Sequence, residues 1–450
     1  MKHSRRLSIA LLLGDVASVF LAFNTVAVIR GLPTPYSILD WSLFVPVALV
    51  LAAIALIDGY SSRTDFLSLD YASQHVLAVL AAAIGTVLVT YVVFTEGFSL
   101  QQSRIVAAFS FLLIAPIGLG LRRLLALRRA VVLRHHAVVF VGDLESAEAF
   151  GAECARVGFK RQVIHAVVGA AEATPEVRAL SAVLDDIESG QIRAEAIILR
   201  ESARELAPGI PQRLVQLHFA GVPTYTLELF HEAVWRKIPL YRINQTWLFQ
   251  EGFSLAREPF FERIKRVSDV ALALIVLVLS APLLALAAIA VLLDDGGPMF
   301  FRQTRVGRHR RPFTLFKLRT MRVAQEGARY TAKGDKRITR VGNFLRVSRL
   351  DELPQLWNVL KGDMSMIGPR AEWDLLVADY EKQIPCYHFR HLVRPGITGW
   401  AQVNYPYGAN LDDTLRKLEY DLYYIRHYSF RLDAAIVMKT VHVMLFGKGR

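Results

Sequence analysis

Asp351 and Glu352 stand side by side in the stretch SRLDELPQLWNVLKGDMSMIGPR, residues 348–370. Pro354 follows two residues later, and proline is tolerated within a helix only in the first turn, where its missing N–H has no partner to lose. A helix is therefore expected to begin near Asp351. Leu353, Leu356, Trp357 and Leu360 recur at i, i+3, i+4 and i+7 and predict one apolar face. Gly362 falls where a C-terminal cap belongs. On this reading the two carboxylates lie at the positive end of the helix dipole, beside free N–H groups. The position is also ordinary structural chemistry, since Asp is a common N-cap and Glu suits a first turn.

The neighbourhood adds a second reading. A carboxylate that attacks a phosphate meets like-charge repulsion, so it needs cations, oriented N–H donors and usually a divalent metal around the phosphorus. Arg346 and Arg349 lie just upstream, and Arg370 follows the turn Gly368-Pro369. Arg302, Arg305, Lys317 and Arg319 lie on earlier segments. A basic face on anionic lipid would use the same residues without catalysis; that is the plainer account of Arg308, Arg310 and Arg311. Adjacent helical residues diverge by about 100°, so the pair can divide its labour. One carboxylate can turn to phosphorus, the other to a metal or a proton. No His/Cys metal cluster or G-x-S-x-G elbow competes for the chemistry.

These residues need elements to position them. The chain has 450 residues, 53% of them hydrophobic, which is too apolar for an ordinary soluble protein and long enough for two or three domains. A net charge of +13 suits anionic lipid or phosphorylated substrates; no nucleic-acid motif accompanies it, so nucleic acid is not an expected partner. Cys154 and Cys386 are far apart and form no CxxC, which fits a reducing compartment and buried packing roles.

Four apolar stretches, Ser8–Ile29, Trp41–Ile57, His75–Phe94 and Ile105–Leu121, each approach the ~20 residues that cross a bilayer as helix. Lys2, Arg5 and Arg6 precede the first, and Arg122, Arg123, Arg128 and Arg129 follow the fourth. The loops after the first and third are poor in Lys and Arg. The positive-inside bias then places both the N-terminus and everything after Leu121 in the cytoplasm. Residues 1–130 are read as this transmembrane region.

Residues 135–253 alternate strand and helix: HAVVFVGD, LESAEAFGAECARVG, RQVIHAVVG, AEAIILR, PQRLVQLHFAG, VPTYTL. That pattern predicts a parallel, Rossmann-like sheet. Its first turn offers only Gly142 where a dinucleotide would require G-x-G-x-x-G, so a structural or regulatory domain is expected rather than an NAD site.

Val270–Leu293 is again long enough to cross. Arg263, Lys265 and Arg266 precede it, and Arg302, Arg305 and Arg308 follow, so a straight span would put one positive cluster outside. Pro282 removes a backbone donor in mid-run, and Ser280 could satisfy a freed carbonyl. A bent helix that enters one leaflet and returns is expected; a kinked fifth span is the alternative. The rest of the chain is basic, with a loop around Gly334, and closes on YDLYYIRHYSFRLDAAIVMKTVHVMLF, whose charges suit an interfacial or packed helix.

Together KRVSDVALALIVLVLSAPL, FRQTRVG, FTLFKLRTM, SRLDELPQLWNVLKGDMSMIGPR and RPGITGWAQV closely resemble the bacterial sugar transferase family, the monotopic phosphoglycosyl transferases. The resemblance runs from about Arg263 to the end, giving a catalytic domain over residues 260–450 with a re-entrant helix at 270–293. Four spans and a degenerate Rossmann-like domain resemble the long form of the family. HEAVWRKIPLYRINQTWLFQEGF and YPYGANLDDTLRKLEYDLYYIRHYSF look like the subgroup of exosortase-linked exopolysaccharide loci.

The resemblance implies the following. The re-entrant helix breaks at Ser280 and Pro282, which one residue separates here, whereas some short members have them adjacent. Chemistry is ping-pong and Mg²⁺-dependent. Asp351 attacks the sugar-bearing phosphate of a UDP-sugar, expels UMP and becomes a phosphosugar-aspartyl ester. Polyprenyl phosphate (undecaprenyl phosphate) then takes the phosphosugar. Glu352 holds Mg²⁺ with Asp351 or assists proton transfer. Arg346 engages the prenyl phosphate. Gly368, Pro369 and Arg370 lie near the nucleotide or its phosphates, with Lys317 and Arg319 as further phosphate contacts. The site lies at the cytoplasmic face of the bacterial inner membrane, against membrane lipid, and a homodimer would give the extra domains a use.

Two other classes are weighed. A membrane-anchored nucleotide-sugar dehydratase or epimerase predicts an intact glycine fingerprint and Tyr-x-x-x-Lys, and no Tyr here has Lys four residues on. A non-enzymatic scaffold or regulator of polysaccharide assembly predicts that Asp351 is dispensable.

Overall fold

The computed structural model describes residues 2–31, 41–61, 64–90, 104–133, 136–159, 161–168, 177–200, 206–240, 259–322, 335, 337–405, 408 and 410–446. The expected loop around Gly334, most of the loops after the first and third apolar stretches, and the end of HEAVWRKIPLYRINQTWLFQEGF lie outside them. The chain divides into two compact units, Met1–Arg236 and Lys237–Arg450.

The first unit opens with four helices: α1 (Lys2–Ile29), α2 (Phe44–Leu56), α3 (Leu69–Leu88) and α4 (Arg104–Leu133). α1, α3 and α4 carry stretches long and apolar enough to cross a membrane, while α2 has 13 residues after a 3-10 turn. α3 starts six residues before the expected span because Ser68 caps it, accepting from Tyr71 N–H. α4 continues through its arginines to Leu133. Charge is buried inside this bundle. Arg122 donates to both oxygens of Asp15 at 2.8 and 2.6 Å, Tyr60 O–H adds a third bond at 2.7 Å, and both ions are almost fully buried. Ions within membrane helices persist when paired in this way, facing the bundle interior.

The α/β part of this unit runs β1 (His136–Val141), α5 (Leu144–Arg156), β2 (Gln162–Val167), β3 (Arg178–Ala179), α6 (Leu180–Glu188), β4 (Arg193–Leu199), α7 (Ile210–Ala220), β5 (Thr224–Thr226) and α8 (Leu227–Phe230). The strands form one parallel sheet of order β3-β2-β1-β4-β5. Residues 137–141 are buried because apolar clusters cover both faces, the usual environment of a parallel strand. β3 and α6 escaped the sequence reading, although Leu180, Val183, Leu184 and Ile187 carry the helical period. The strand order reverses between β1 and β4, where doubly wound sheets hold ligands beyond the carboxyl ends. There Arg200 lies against Gly142 and ion-pairs with Asp143, the N-cap of α5.

The second unit contains α9 (Pro259–Asp295), the antiparallel hairpin β6 (Phe300–Val306) and β7 (Pro312–Leu318), α10 (Arg340–Ser348), α11 (Gln355–Lys361), β8 (Ser365–Ile367), α12 (Asp374–Gln383), β9 (Gly396–Thr398), α13 (Trp400–Asn404), α14 (Leu411–Arg426) and α15 (Phe430–Phe446). Its main core gathers Trp400, Tyr387, Tyr424, Leu422 and Ile436.

α9 is continuous through Pro282. Leu279, Leu286 and Leu293 on its outward side are 65–80% exposed, a face that needs lipid rather than water. Early in the helix, Ala273 packs with Leu315, Leu356 and Val359. Late in the helix, Ala287, Ala288 and Val291 pack with Leu318 and Leu345. Both ends of α9 thus rest on the same domain. Ser280 Oγ reaches the Leu277 carbonyl at 3.5 Å, a different carbonyl from that of Val278, which Pro282 leaves without its N–H.

Candidate active site

Arg349 adopts a left-handed backbone conformation, φ 59°, and ends α10. Leu350–Glu352 then forms a single 3-10 turn, and α11 begins only at Gln355 with Pro354 as its N-cap residue. The carboxylates therefore sit on a turn between two helices, and α11 starts four residues after the expected position. The N–H of Glu352 is already bonded to Arg349 O at 3.2 Å, so the turn consumes a donor that the dipole reading had left free. Gly362 does close α11, at φ 94°. Trp357 is 54% exposed, so the inward face is instead Gln355, Leu356, Asn358 and Val359.

The two acids have different surroundings. Glu352 Oε1 accepts from Lys317 Nζ at 2.9 Å and faces both terminal nitrogens of Arg370 at 3.5 Å. Asp351 is 8% exposed, and its carboxylate hydrogen-bonds to none of the described residues. Burial, then the charge of Glu352, raises the Asp351 carboxyl, with Lys317, Arg346 and Arg349 offsetting part of the rise. Burial also opposes charge on Glu352, but Lys317 and Arg370 overcome it and hold this carboxyl at about 2. Burial pushes Lys317 down despite Glu352. Two neighbouring acids driven apart in this way are suited to two roles.

Their partners are held by identifiable bonds. Lys317 comes from β7, and fully buried Asn358 docks α11 onto that strand. Its Oδ1 accepts from Phe316 N–H at 3.1 Å, and its Nδ2 donates to Thr314 O at 2.7 Å, as a neighbouring strand would. Arg346 Nε donates to Thr320 Oγ1 at 2.8 Å. α10 can approach Thr320 because Gly342 has no side chain; a Cβ there would lie 2.1 Å from Thr320 O. Arg390, buried with Asp421 at 2.9 Å, donates to the Arg370 carbonyl at 3.0 Å. Arg305 donates to Ala371 O and Glu372 at 3.1 Å.

Three glycines explain why MIGPR and RPGITGW travel together. A Cβ on Gly368 would meet Arg394 O at 2.3 Å, one on Gly396 would meet Gly368 N at 2.1 Å, and one on Gly399 would meet Gly368 O at 2.1 Å. β8 and β9 therefore touch backbone to backbone, with Gly396 N–H on Pro369 O at 2.8 Å. This packing holds the Gly368-Pro369 turn against β9, just before Arg370. The Arg319 guanidinium lies against Gly297, just beyond α9. A cleft beside the pair is lined by Arg305, Leu315, Lys317, Gln355, Arg370, Ala371 and Gly396. Sequence reasoning passed over Asn358, Gln355 and Arg390. The available signal for the first two was a pair of amides three residues apart within an apolar helix face.

Among the described residues no three His, Cys, Asp or Glu side chains could enclose a metal. Two adjacent carboxylates do suit Mg²⁺, which is commonly held by one or two carboxylates together with substrate phosphates.

The sequence model of the family "Bacterial sugar transferase" matches residues 260–447, the span that contains every residue of this site. A UDP-N-acetylgalactosamine-undecaprenyl-phosphate N-acetylgalactosaminephosphotransferase of Aeromonas hydrophila is 40% identical over 268 residues, 59% of this chain and 62% of its own. A UDP-glucose:undecaprenyl-phosphate glucose-1-phosphate transferase of Escherichia coli K12 is 45% identical over 184 residues, 40% of this chain and 39% of its own. An exopolysaccharide production protein of Rhizobium leguminosarum bv. phaseoli is 40% identical over 187 residues, 40% of this chain and 93% of its own. The chain belongs to the bacterial sugar transferase family. Its matches span less than two thirds of the first two relatives.

Proposed function

We propose that the protein transfers a sugar-1-phosphate from a UDP-sugar to polyprenyl (undecaprenyl) phosphate and thereby initiates exopolysaccharide assembly. The observation that carries this reading is the split pair: Glu352 anchored by Lys317 and Arg370, Asp351 buried and without a hydrogen bond among the described residues. An unbonded carboxylate raised in basicity is suited to attack phosphorus. Asp351 Oδ forms a bond to the sugar-bearing phosphorus, and the bond to the bridging oxygen breaks, releasing UMP. A polyprenyl phosphate oxygen then displaces Asp351 from the same phosphorus. Arg346, Arg349, Arg370 and Lys317 lower the cost of gathering this negative charge. When bound by Asp351, Glu352 and substrate phosphates, Mg²⁺ would neutralise charge on the transferring group.

α9 is proposed as re-entrant, with the catalytic domain, residues 260–450, at the cytoplasmic face of the inner membrane. Both ends of α9 pack on that domain, and a helix crossing the bilayer would carry one end away from it. Residues 1–130 form the membrane bundle in this scheme, and the Rossmann-like domain, expected over 135–253, ends by Arg236, since Ile238 and Leu240 pack in the second unit. The segment HEAVWRKIPLYRINQTWLFQEGF supports the exosortase-linked subgroup by resemblance. The curated relatives act, by name, on different sugars, so the donor is assigned only as a UDP-sugar.

The test is UMP release by the purified protein with Mg²⁺, polyprenyl phosphate and a panel of UDP-sugars, for wild type and Asp351→Ala. Release with one sugar, lost in the variant, is expected. Undiminished release from the variant would move the nucleophile elsewhere. No release from folded wild type with any sugar would leave a scaffold for polysaccharide assembly.

A further inference from the structure

Gln355 is the first residue of α11 and is 4% exposed. It lines the cleft beside Lys317, Arg370 and Arg305, yet its amide hydrogen-bonds to none of the described residues. The amide atoms are not sealed off from the cleft, so a ligand entering it can bond to them. The direction of Gln355 is fixed by its neighbour one turn on. Asn358 lies on the same helix face and is bonded to the β7 backbone at Thr314 and Phe316. Gln355 is thereby held against the stretch of β7 that carries Leu315 and Lys317.

We propose that Gln355 is a substrate-binding residue whose amide N–H donates to a phosphoryl oxygen seated between Lys317 and Arg370. This rests on the phosphoryl-transfer reading of the site. Three cationic side chains line the cleft, two paired with Glu352 and one with Glu372, a lining that suits an oxyanion. Lys317 and Arg370 already share Glu352 Oε1. A neutral donor adds a bond to the same phosphate without drawing Glu352 away from its partners. The phosphate belongs either to the nucleotide sugar or to the lipid acceptor; the chemistry recognised is the same.

The experiment uses the full chain in nanodiscs with Gln355→Met, which keeps the length but loses the amide donor, and Gln355→Glu, which places an anion against the phosphate. In Gln355→Met the KM for one substrate should rise about tenfold, with kcat within about threefold and the melting temperature unchanged. In Gln355→Glu the same KM should rise about a hundredfold or more. A rise confined to the UDP-sugar assigns the donor phosphate, and a rise confined to polyprenyl phosphate assigns the acceptor. Unchanged KM for both substrates, or a loss of kcat that tracks a loss of melting temperature, would overturn the proposal. Should wild type release no UMP, the transfer reading fails, and protection by pyrophosphate decides the inference separately. Thermal stabilisation of wild type that Gln355→Glu abolishes would support it, and no stabilisation of wild type would overturn it.

Discussion

Asp351 and Glu352 are adjacent in sequence and opposite in circumstance. Glu352 is bonded and held at about 2, whereas Asp351 is unbonded and raised. Asp351→Asn should therefore abolish formation of a labelled enzyme–phosphosugar adduct from a radiolabelled UDP-sugar. Glu352→Gln should still form it, on the order of a hundredfold more slowly; equal loss in both variants would argue against divided roles. A second residue-scale effect concerns stability. Burial, then Arg390, pushes His391 down to about 3. In the unfolded chain this imidazole titrates near ~6.5. Its neutral form matches both states above that pH. Below it the unfolded state binds the proton more readily, so stability falls by up to about 1.4 kcal/mol per pH unit between 6.5 and 3. His391→Gln should flatten that part of the curve of melting temperature against pH, and an unchanged slope would show the loss lies in other groups.

At the scale of elements, the site depends on contacts that admit no side chain. Gly396→Ala would drive a methyl group to 2.1 Å from Gly368 N, with backbone on every side. The expected result is a destabilisation of about 1–3 kcal/mol and at least a tenfold loss of UMP release, read from melting and assay together. Gly396→Ala with wild-type melting and turnover would mean that β8 and β9 part without consequence. α9 makes a topological prediction. In a cysteine-free background, Ser268→Cys and Met299→Cys flank the apolar run. A re-entrant helix exposes both to a membrane-impermeant thiol reagent from the cytoplasmic side alone, whereas a spanning helix exposes one from each side.

For the whole molecule, the division at Arg236/Lys237 leaves the entire family match, residues 260–447, within the second unit. The match covers 93% of the Rhizobium protein, which has little room for a bundle or a Rossmann-like domain. The second unit also closes its own core: Ile238 and Leu240 are buried in it, and Lys237 pairs with Glu419 at 3.0 Å. A chain beginning at Lys237 should therefore insert in membranes and keep UMP release within about tenfold of wild type. Loss of activity in a folded truncated chain would assign the first unit a part in the reaction.

The sequence by itself determined much of this organisation, because its signals are local. Hydrophobic length marked the membrane helices, alternation marked β1, β2 and β4, and Asp351, Glu352 and Arg370 stood out by type and spacing. Gly368, read as part of a turn, also marks contact with the backbone at Arg394 and Gly396, far along the chain. Only the tertiary structure decided which carboxylate is bonded, since Lys317 reaches Glu352 from a strand 35 residues away. It also placed Arg319 against Gly297 and turned Trp357 outward. The start of α11 moved to Gln355 because a left-handed Arg349 and a 3-10 turn fit the reversal between two packed helices, a demand that helical period and proline placement do not encode. Pairing, burial and the charge state that follows from them depend on neighbours distant in sequence, and folding supplies those neighbours.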